Sequence, residues 1–393
     1  MENANSALAL PSMTARDGVV YAAYRSFNLL RFSDQLQVIA YDVNAHKQLH
    51  HVTIPVPKVH GERAAEGLFL SEDGKMLAYS ETYNPTLLLL LSTKDLSEIR
   101  RSTVLPFTPE DLWRQFGGFD SHDRLAFASV KSDRLRFIRI NPTDLDPVSD
   151  ASMSGPEVLE PFSLSIVWSP SAKLTWISSV SMRGDLWQEY GEGGHATGQV
   201  SGYRREISNG AVALGEGKLL AFYGNMIAKG SVVRYSDHKE EELKLTCVPS
   251  SYGISNDPQY AGAICATMTD LAEPAQNRTV TSDFLLLRTK GPTVVWRHKM
   301  DFVGVANGNE PHSGGQKGNP LIYRAGSKLL IMAPTRRPEL AVYEVPLEEG
   351  GVTATTHRRT CMATGSNAHF SSYDLGGDLL SKRVAPVNGS HGQ

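Results

Sequence analysis

The 393 residues carry 39 Lys+Arg against 42 Asp+Glu, a formal net charge of −3, with 41% hydrophobic residues, 34 Gly and 21 Pro. This composition suits one large repetitive domain or two average ones, and excludes collagen, a disordered chain and, with three Cys, a disulfide scaffold. No nucleic-acid partner is expected, because that needs a clustered positive excess.

From the N-terminus, Met1 to Ser6 contains no basic residue, and the apolar Ala7 to Leu10 is too short for a signal h-region. The most apolar run, Leu87 to Leu91, falls far short of the roughly 20 residues that cross a bilayer, so no membrane span is expected. The chain as written reads as cytoplasmic, with an exported mature form whose signal has been removed as the other option. Strands are predicted over 18–24, 36–43 and 49–56, then 76–80, 86–91 and 97–105, then 125–130 and 135–140. Further along come 219–223, 231–235 and 242–248, and finally 329–333, 340–345 and 352–358. Each is short, rich in Val, Leu, Ile, Phe and Tyr, and bounded by Gly, Pro, Asn or Asp; no segment sustains a helical period. Cys247, Cys265 and Cys361 sit in apolar, strand-like surroundings and are expected as buried small hydrophobes rather than a paired set.

These elements repeat. A polar turn followed by an apolar strand recurs at Glu72-Asp73-Gly74-Lys75, Ser121-His122-Asp123-Arg124, Ser171-Ala172-Lys173 and Gly215-Glu216-Gly217-Lys218. It returns at Asn256-Asp257-Pro258-Gln259, Ala325-Gly326-Ser327-Lys328 and Gly376-Gly377-Asp378. The residue after each turn falls at 75, 124, 173, 218, 259, 328 and 378, so the gaps are 49, 49, 45, 41, 69 and 50. A period in the forties with a turn at fixed phase is the spacing of four-stranded propeller blades. The wide gap contains two insertions, Thr269 to Ser282 and Phe302 to Asn319.

On this phase and on turns such as Ser71-Glu72-Asp73-Gly74-Lys75, the chain resembles the WD40 and YVTN-type propeller superfamily over residues 17–380, with tails at 1–16 and 381–393. No blade ends in Trp-Asp or carries a Gly-His pair, so the Asp-His-Ser/Thr-Trp network of that family is not expected. The resemblance implies an all-β fold, a single β-propeller of seven four-stranded blades, with six and eight as the neighbouring counts. The N-terminal segment supplies three strands, and residues 369–375 match the phase of the missing inner one, so the ring is expected to close by pairing the two chain ends in one blade.

No nucleophile elbow, P-loop, HExxH pair, EF-hand loop or CxxC pair is present. In a propeller, the connections into inner strands and between second and third strands share one face, and both insertions fall there. Arg25, Arg63, Arg114, Arg183 and Arg336 fall on that face with Asn319, as do Arg31, Lys131, Lys229, Arg278 and Arg337. Converging cations favour an anionic ligand. Glu81, Asp133, Asp185, Glu273 and Glu339 occupy the same loops and leave open an ordinary mixed-charge surface. The leading expectation is a non-catalytic binding module, monomeric and without cofactor or metal, whose partner is a protein, a peptide or a small anionic ligand. The alternative is a funnel enzyme, a hydrolase, lactonase or lyase acting on a small acid or sugar. It would use His60, Glu62, His312 and His369 as acid–base groups.

Overall fold

A computed structural model of the chain describes residues 12–28, 33–58, 66–82, 86–131, 134–154, 161–169, 174–181, 184–191, 196–204, 208–215, 218–224, 229–234, 240–245, 248–255, 257, 259–269, 279–305, 321–334, 339–348, 351–352 and 357–363. Among the described residues the regular elements are strands, grouped into antiparallel meanders that follow one another along the chain. The first contains β1 (Ser12–Arg16), β2 (Val19–Asn28), β3 (Ser33–Asp42) and β4 (Lys47–Pro55). The second contains β5 (Glu66–Leu70), β6 (Met76–Glu81), β7 (Leu87–Ser92) and β8 (Glu98–Ser102). The third contains β9 (Asp111–Phe119), β10 (Leu125–Lys131), β11 (Arg134–Ile140) and β12 (Pro147–Ser154). The fourth contains β13 (Pro161–Ser169), β14 (Leu174–Ser181), β15 (Gly184–Tyr190) and β16 (Ala196–Arg204). The fifth contains β17 (Ser208–Gly215), β18 (Lys218–Gly224), β19 (Lys229–Arg234) and β20 (Glu240–Lys244). The sixth contains β21 (Val248–Ser255), β22 (Tyr260–Thr269), β23 (Thr279–Arg288) and β24 (Thr293–Val305). The seventh contains β25 (Leu321–Ala325), β26 (Lys328–Pro334), β27 (Glu339–Glu348), the two-residue β28 (Gly351–Val352) and β29 (His357–Ala363). A short parallel pairing of β21 with β25, Ile254 to Leu321 and Ser255 to Ile322, merges the last two into one nine-stranded sheet.

The repeating turn is built from side chains that replace backbone partners. Asp73 Oδ1 accepts the Lys75 N–H at 2.9 Å and the Ser71 hydroxyl at 2.8 Å. Asp120 Oδ1 accepts the His122 and Arg124 N–H groups, and Asp257 Oδ1 accepts that of Gln259. Such Asx turns explain why the polar punctuation keeps a fixed phase while the strand residues vary.

Among the described residues, central strands are buried on both faces, as β7 shows most simply. Its five consecutive leucines are all buried. Leu87, Leu89 and Leu91 join a core with Leu36, Val38 and Ile54 of the first meander. Leu88 and Leu90 join another with Phe116, Phe127 and Ile138 of the third. A strand alternates its side chains between faces, so a continuous apolar run is what a sheet between two neighbours requires.

The first strands lie side by side in chain order, β1 against β5, β5 against β9, and so on to β21 against β25, and β25 in turn lies against β1. The first and last meanders share a core in which Val20, Tyr41 and Val43 meet Leu321, Tyr323, Leu330 and Met332. The Gly18 N–H also donates to the Tyr323 hydroxyl. This arrangement is propeller-like, as the sequence led us to expect.

The expected sharing of a blade between chain ends is corrected in one respect. The first meander has its own inner strand, β1, paired with β2 from Ser12–Ala23 to Arg16–Val19. Residues 369–375 lie outside the described residues. The missed signal is Asp17-Gly18, a two-residue turn with φ of 50° and 81°, both in the left-handed region that a tight hairpin of this kind needs. The second insertion begins later than expected, since β24 continues to Val305, and the first ends earlier, since β23 starts at Thr279 and pairs there with Val305. Cys265 is buried as expected but disulfide-bonded, which was not. No helix among the described residues is long and apolar enough to cross a membrane.

Gly118 tests the packing between the second and third meanders. Its φ is 91°, and a Cβ there would stand 2.5 Å from Cδ1 of Phe69, whose ring is edge-on to Phe116. Gly118→Ala should therefore cost about 1–3 kcal/mol or more, read as a lower urea midpoint.

Candidate functional site

In an antiparallel meander, first-strand starts, second-strand ends and third-strand starts lie on one side. The connections 270–278 and 306–320 leave from that side, and a continuous polar network occupies it across the first three meanders. Arg25, near the end of β2, donates through Nε to Oε1 of Glu81 at 2.6 Å and through Nη2 to Oε2, a two-pronged pair. Its Nη1 reaches Oδ2 of Asp34 and the carbonyl of Pro57, each at 3.1 Å. The Tyr79 hydroxyl donates to Glu81 at 2.6 Å. The Arg25 and Glu81 side chains are 6% and 2% exposed. Burial alone would lower the Arg25 pKa, but Glu81, and behind it Tyr79 and Asp34, outweigh this and raise it.

The next residue, Thr82, carries the network onward by donating to the carbonyl of Arg114 at 2.8 Å. Arg114 folds back on its own loop, reaching the carbonyls of Asp111 at 3.0 Å and Thr108 at 2.9 Å, with its guanidinium over the Phe107 ring. Asp111 is the hub of the third meander. It accepts from the Ser129 hydroxyl at 2.6 Å, from Arg136 at 2.8 Å and from the N–H and hydroxyl of Thr108. Arg136 also pairs with Asp150, so one residue from each of β9, β10, β11 and β12 enters a single chain of contacts. Burial pushes the Asp111 carboxyl up, yet Ser129, the Thr108 N–H and Arg136 together hold it below the usual carboxylate value. Nearby, Lys131 pairs with Glu110 at 2.9 Å.

On the opposite side, inter-meander links join the first-to-second-strand turns. Arg16 donates to the carbonyls of Ser71 and Glu72, and the Glu72 N–H donates to Asp123. Buried Arg139 pairs with Asp120 at 3.2 Å and donates to the Gly191 carbonyl, and Arg324 pairs with Asp257 at 2.7 Å.

Of the cations the sequence singled out, the structure therefore gives Arg25 and Lys131 carboxylate partners and Arg114 carbonyl partners. Arg63, Arg183, Arg336, Asn319, His60, Glu62, His312 and His369 lie outside the described residues, as do Arg31, Arg278 and Arg337. Asp34, Asp111, Ser129, Arg136 and Asp150 were not singled out. The signal for Arg25 and Glu81 was available in the repeat, because both lie toward the end of the second strand in successive meanders and so can meet across a sheet boundary. Among the described residues, no group of three His, Cys, Asp or Glu is placed to hold a metal ion.

The sequence matches no protein-family model. No curated protein matches it either. Solved structures offer distant likenesses. Dihydro-heme d1 dehydrogenase NirN in complex with DHE is 14% identical, with a TM-score of 0.49 over 89% of this chain and 65% of that one, so this chain spans under two thirds of its length. A catalytically inactive virginiamycin B lyase from Staphylococcus aureus with quinupristin is 12% identical, with a TM-score of 0.48 over 84% of this chain and 94% of that one. The β-propeller domain of Myceliophteria thermophila Cps50 (Swd1) is 12% identical, with a TM-score of 0.45 over 86% of this chain and 98% of that one. At TM-scores below 0.5, these likenesses carry no inference about activity.

Glu81→Ala should destabilise the protein by about 3 kcal/mol, because it removes the two-pronged partner of buried Arg25 and leaves it Asp34 and the Pro57 carbonyl. The double variant Arg25→Met/Glu81→Leu should recover part of that loss in urea unfolding. The Asp111 pKa is lowered on folding, so its contribution is full above the unfolded value of about 3.9 and is lost as pH falls through the folded value. Thermal melts from pH 6 to pH 2 should therefore show a shallower acid loss for Asp111→Asn than for the wild type.

Proposed function

We propose that the chain is a seven-bladed β-propeller, each meander one blade, that acts as a monomeric, non-catalytic binding module. The ring reading rests on the cyclic order of first strands and on the core shared by the first and last meanders. The binding reading rests on one observation: the strand ends beneath the insertion-bearing side are locked to one another by internally neutralised ion pairs from Asp34 through Asp150. Such a platform fixes where loops begin while leaving their residues free to vary, which suits presentation of a ligand surface.

Arg25 and Arg114 serve the platform in this reading. Contact with a protein, a peptide or a small anion falls to Arg63, Arg183, Arg336 and Asn319 in the connections above it. A guanidinium suits planar anions because it can donate two parallel hydrogen bonds.

A thermal-shift series with citrate, inorganic phosphate and an acidic peptide should raise Tm for at least one of them, and Arg63→Ala should abolish the rise. A flat series would sink the anion reading. Metal analysis of the purified protein separates the alternative: a stoichiometric ion, lost in His60→Ala, would replace the binding module by the funnel enzyme with His60, Glu62, His312 and His369.

A further inference from the structure

Cys265 lies in β22, is 2% exposed and is disulfide-bonded. The chain offers two partners, Cys247 and Cys361. The alternation of β22 separates them. Tyr260 and Ile264 lie in the core shared with the seventh meander, alongside Ile322, Leu329 and Tyr343. A Cβ on Gly262, between them, would stand 2.8 Å from Cδ1 of Ile322. Residues 260, 262 and 264 therefore face the seventh meander, and Ala261, Ala263 and Cys265, all buried, face the other way. That other side belongs to the fifth meander, whose β17 and β18 lie against β21.

Cys361 belongs to β29 of the seventh meander, where the neighbouring Thr360 pairs with Ala341 of β27. The thickness of the sixth meander stands between it and the face that Cys265 occupies. Cys247 lies outside the described residues; in sequence it follows β20 of the fifth meander and immediately precedes Val248, which pairs with Ala266, the neighbour of Cys265. One trans peptide keeps its Cα within about 3.8 Å of that of Val248.

We infer that Cys265 is joined to Cys247, and that the bond is acquired in an oxidising compartment. The two thiols lose two protons and two electrons as the S–S bond forms. A disulfide-bearing oxidant takes them up by thiol–disulfide exchange and leaves as the dithiol. Disulfides persist where such oxidants prevail and are rare where glutathione keeps thiols reduced. The bond would pin the connection between β20 and β21 to β22.

Peptide mapping of protein taken from its source cells, with thiols alkylated at lysis and no reductant, tests this. Trypsin leaves Cys247 and Cys265 in one peptide, residues 245–278, with Cys361 in another. The expected result is a 245–278 peptide lighter by two hydrogen atoms and unalkylated, with Cys361 alkylated. Cleavage before Asp257 should then yield two fragments held together until reduced. Any other pairing, or three alkylated cysteines, overturns the inference. As a second measurement, Cys247→Ser and Cys265→Ser should lower Tm equally and Cys361→Ser should not; a loss confined to Cys265→Ser and Cys361→Ser would overturn it too.

Discussion

Where their burial is described, the central strands of these sheets have two faces that water must not reach. A sheet of four strands cannot bury both faces against itself, so each meander needs a neighbour on either side. The five leucines of β7 are the plainest expression of that demand, alternating between cores that belong to different neighbours. In an open row the first and last meanders would each leave one apolar face uncovered. Here those two faces cover each other, with Val20 and Tyr41 against Leu321 and Met332. Aliphatic burial of about 25 cal/mol per Å² drives the arrangement, and the order of meanders follows from it.

Among the described residues, several arginines are paired inward. Arg25 is held by Glu81 and Asp34, Arg136 by Asp111 and Asp150, and Arg139 by Asp120. A buried ion pair adds little net stability relative to a well-packed apolar pair, but it tolerates few alternative geometries. The Arg25–Glu81 pair registers the first meander against the second, while the Arg136 and Arg139 pairs fix strand against strand within the third. The Asp111 network crosses all four strands of the third meander.

Much of the fold was legible in the sequence because turn chemistry is local. Asp73, Asp120 and Asp257 cap their own turns, so their spacing reports the repeat whatever the strands contain. β1 was not legible because Ser12–Arg16 is only half-buried and lacks a strong apolar alternation; only the Asp17-Gly18 turn betrays it. The candidate site was legible as a location and not as chemistry. Repeat phase places Arg25 and Arg114 on the correct side, but whether a guanidinium meets solvent or a carboxylate depends on the neighbouring meander, some fifty residues away. The Cys265 bond escaped for the same reason, since strand-like surroundings say that a sulfur is buried and nothing about what lies across the sheet face.

The short parallel pairing of β21 with β25 has a mechanical consequence. Backbone hydrogen bonds are directional and resist shear, whereas apolar faces slide at small cost. The segments 270–278 and 306–320 both spring from strands of this one nine-stranded sheet. The distance between their roots is thereby set by covalent geometry and hydrogen-bond length, like the span between the jaws of a fixed caliper.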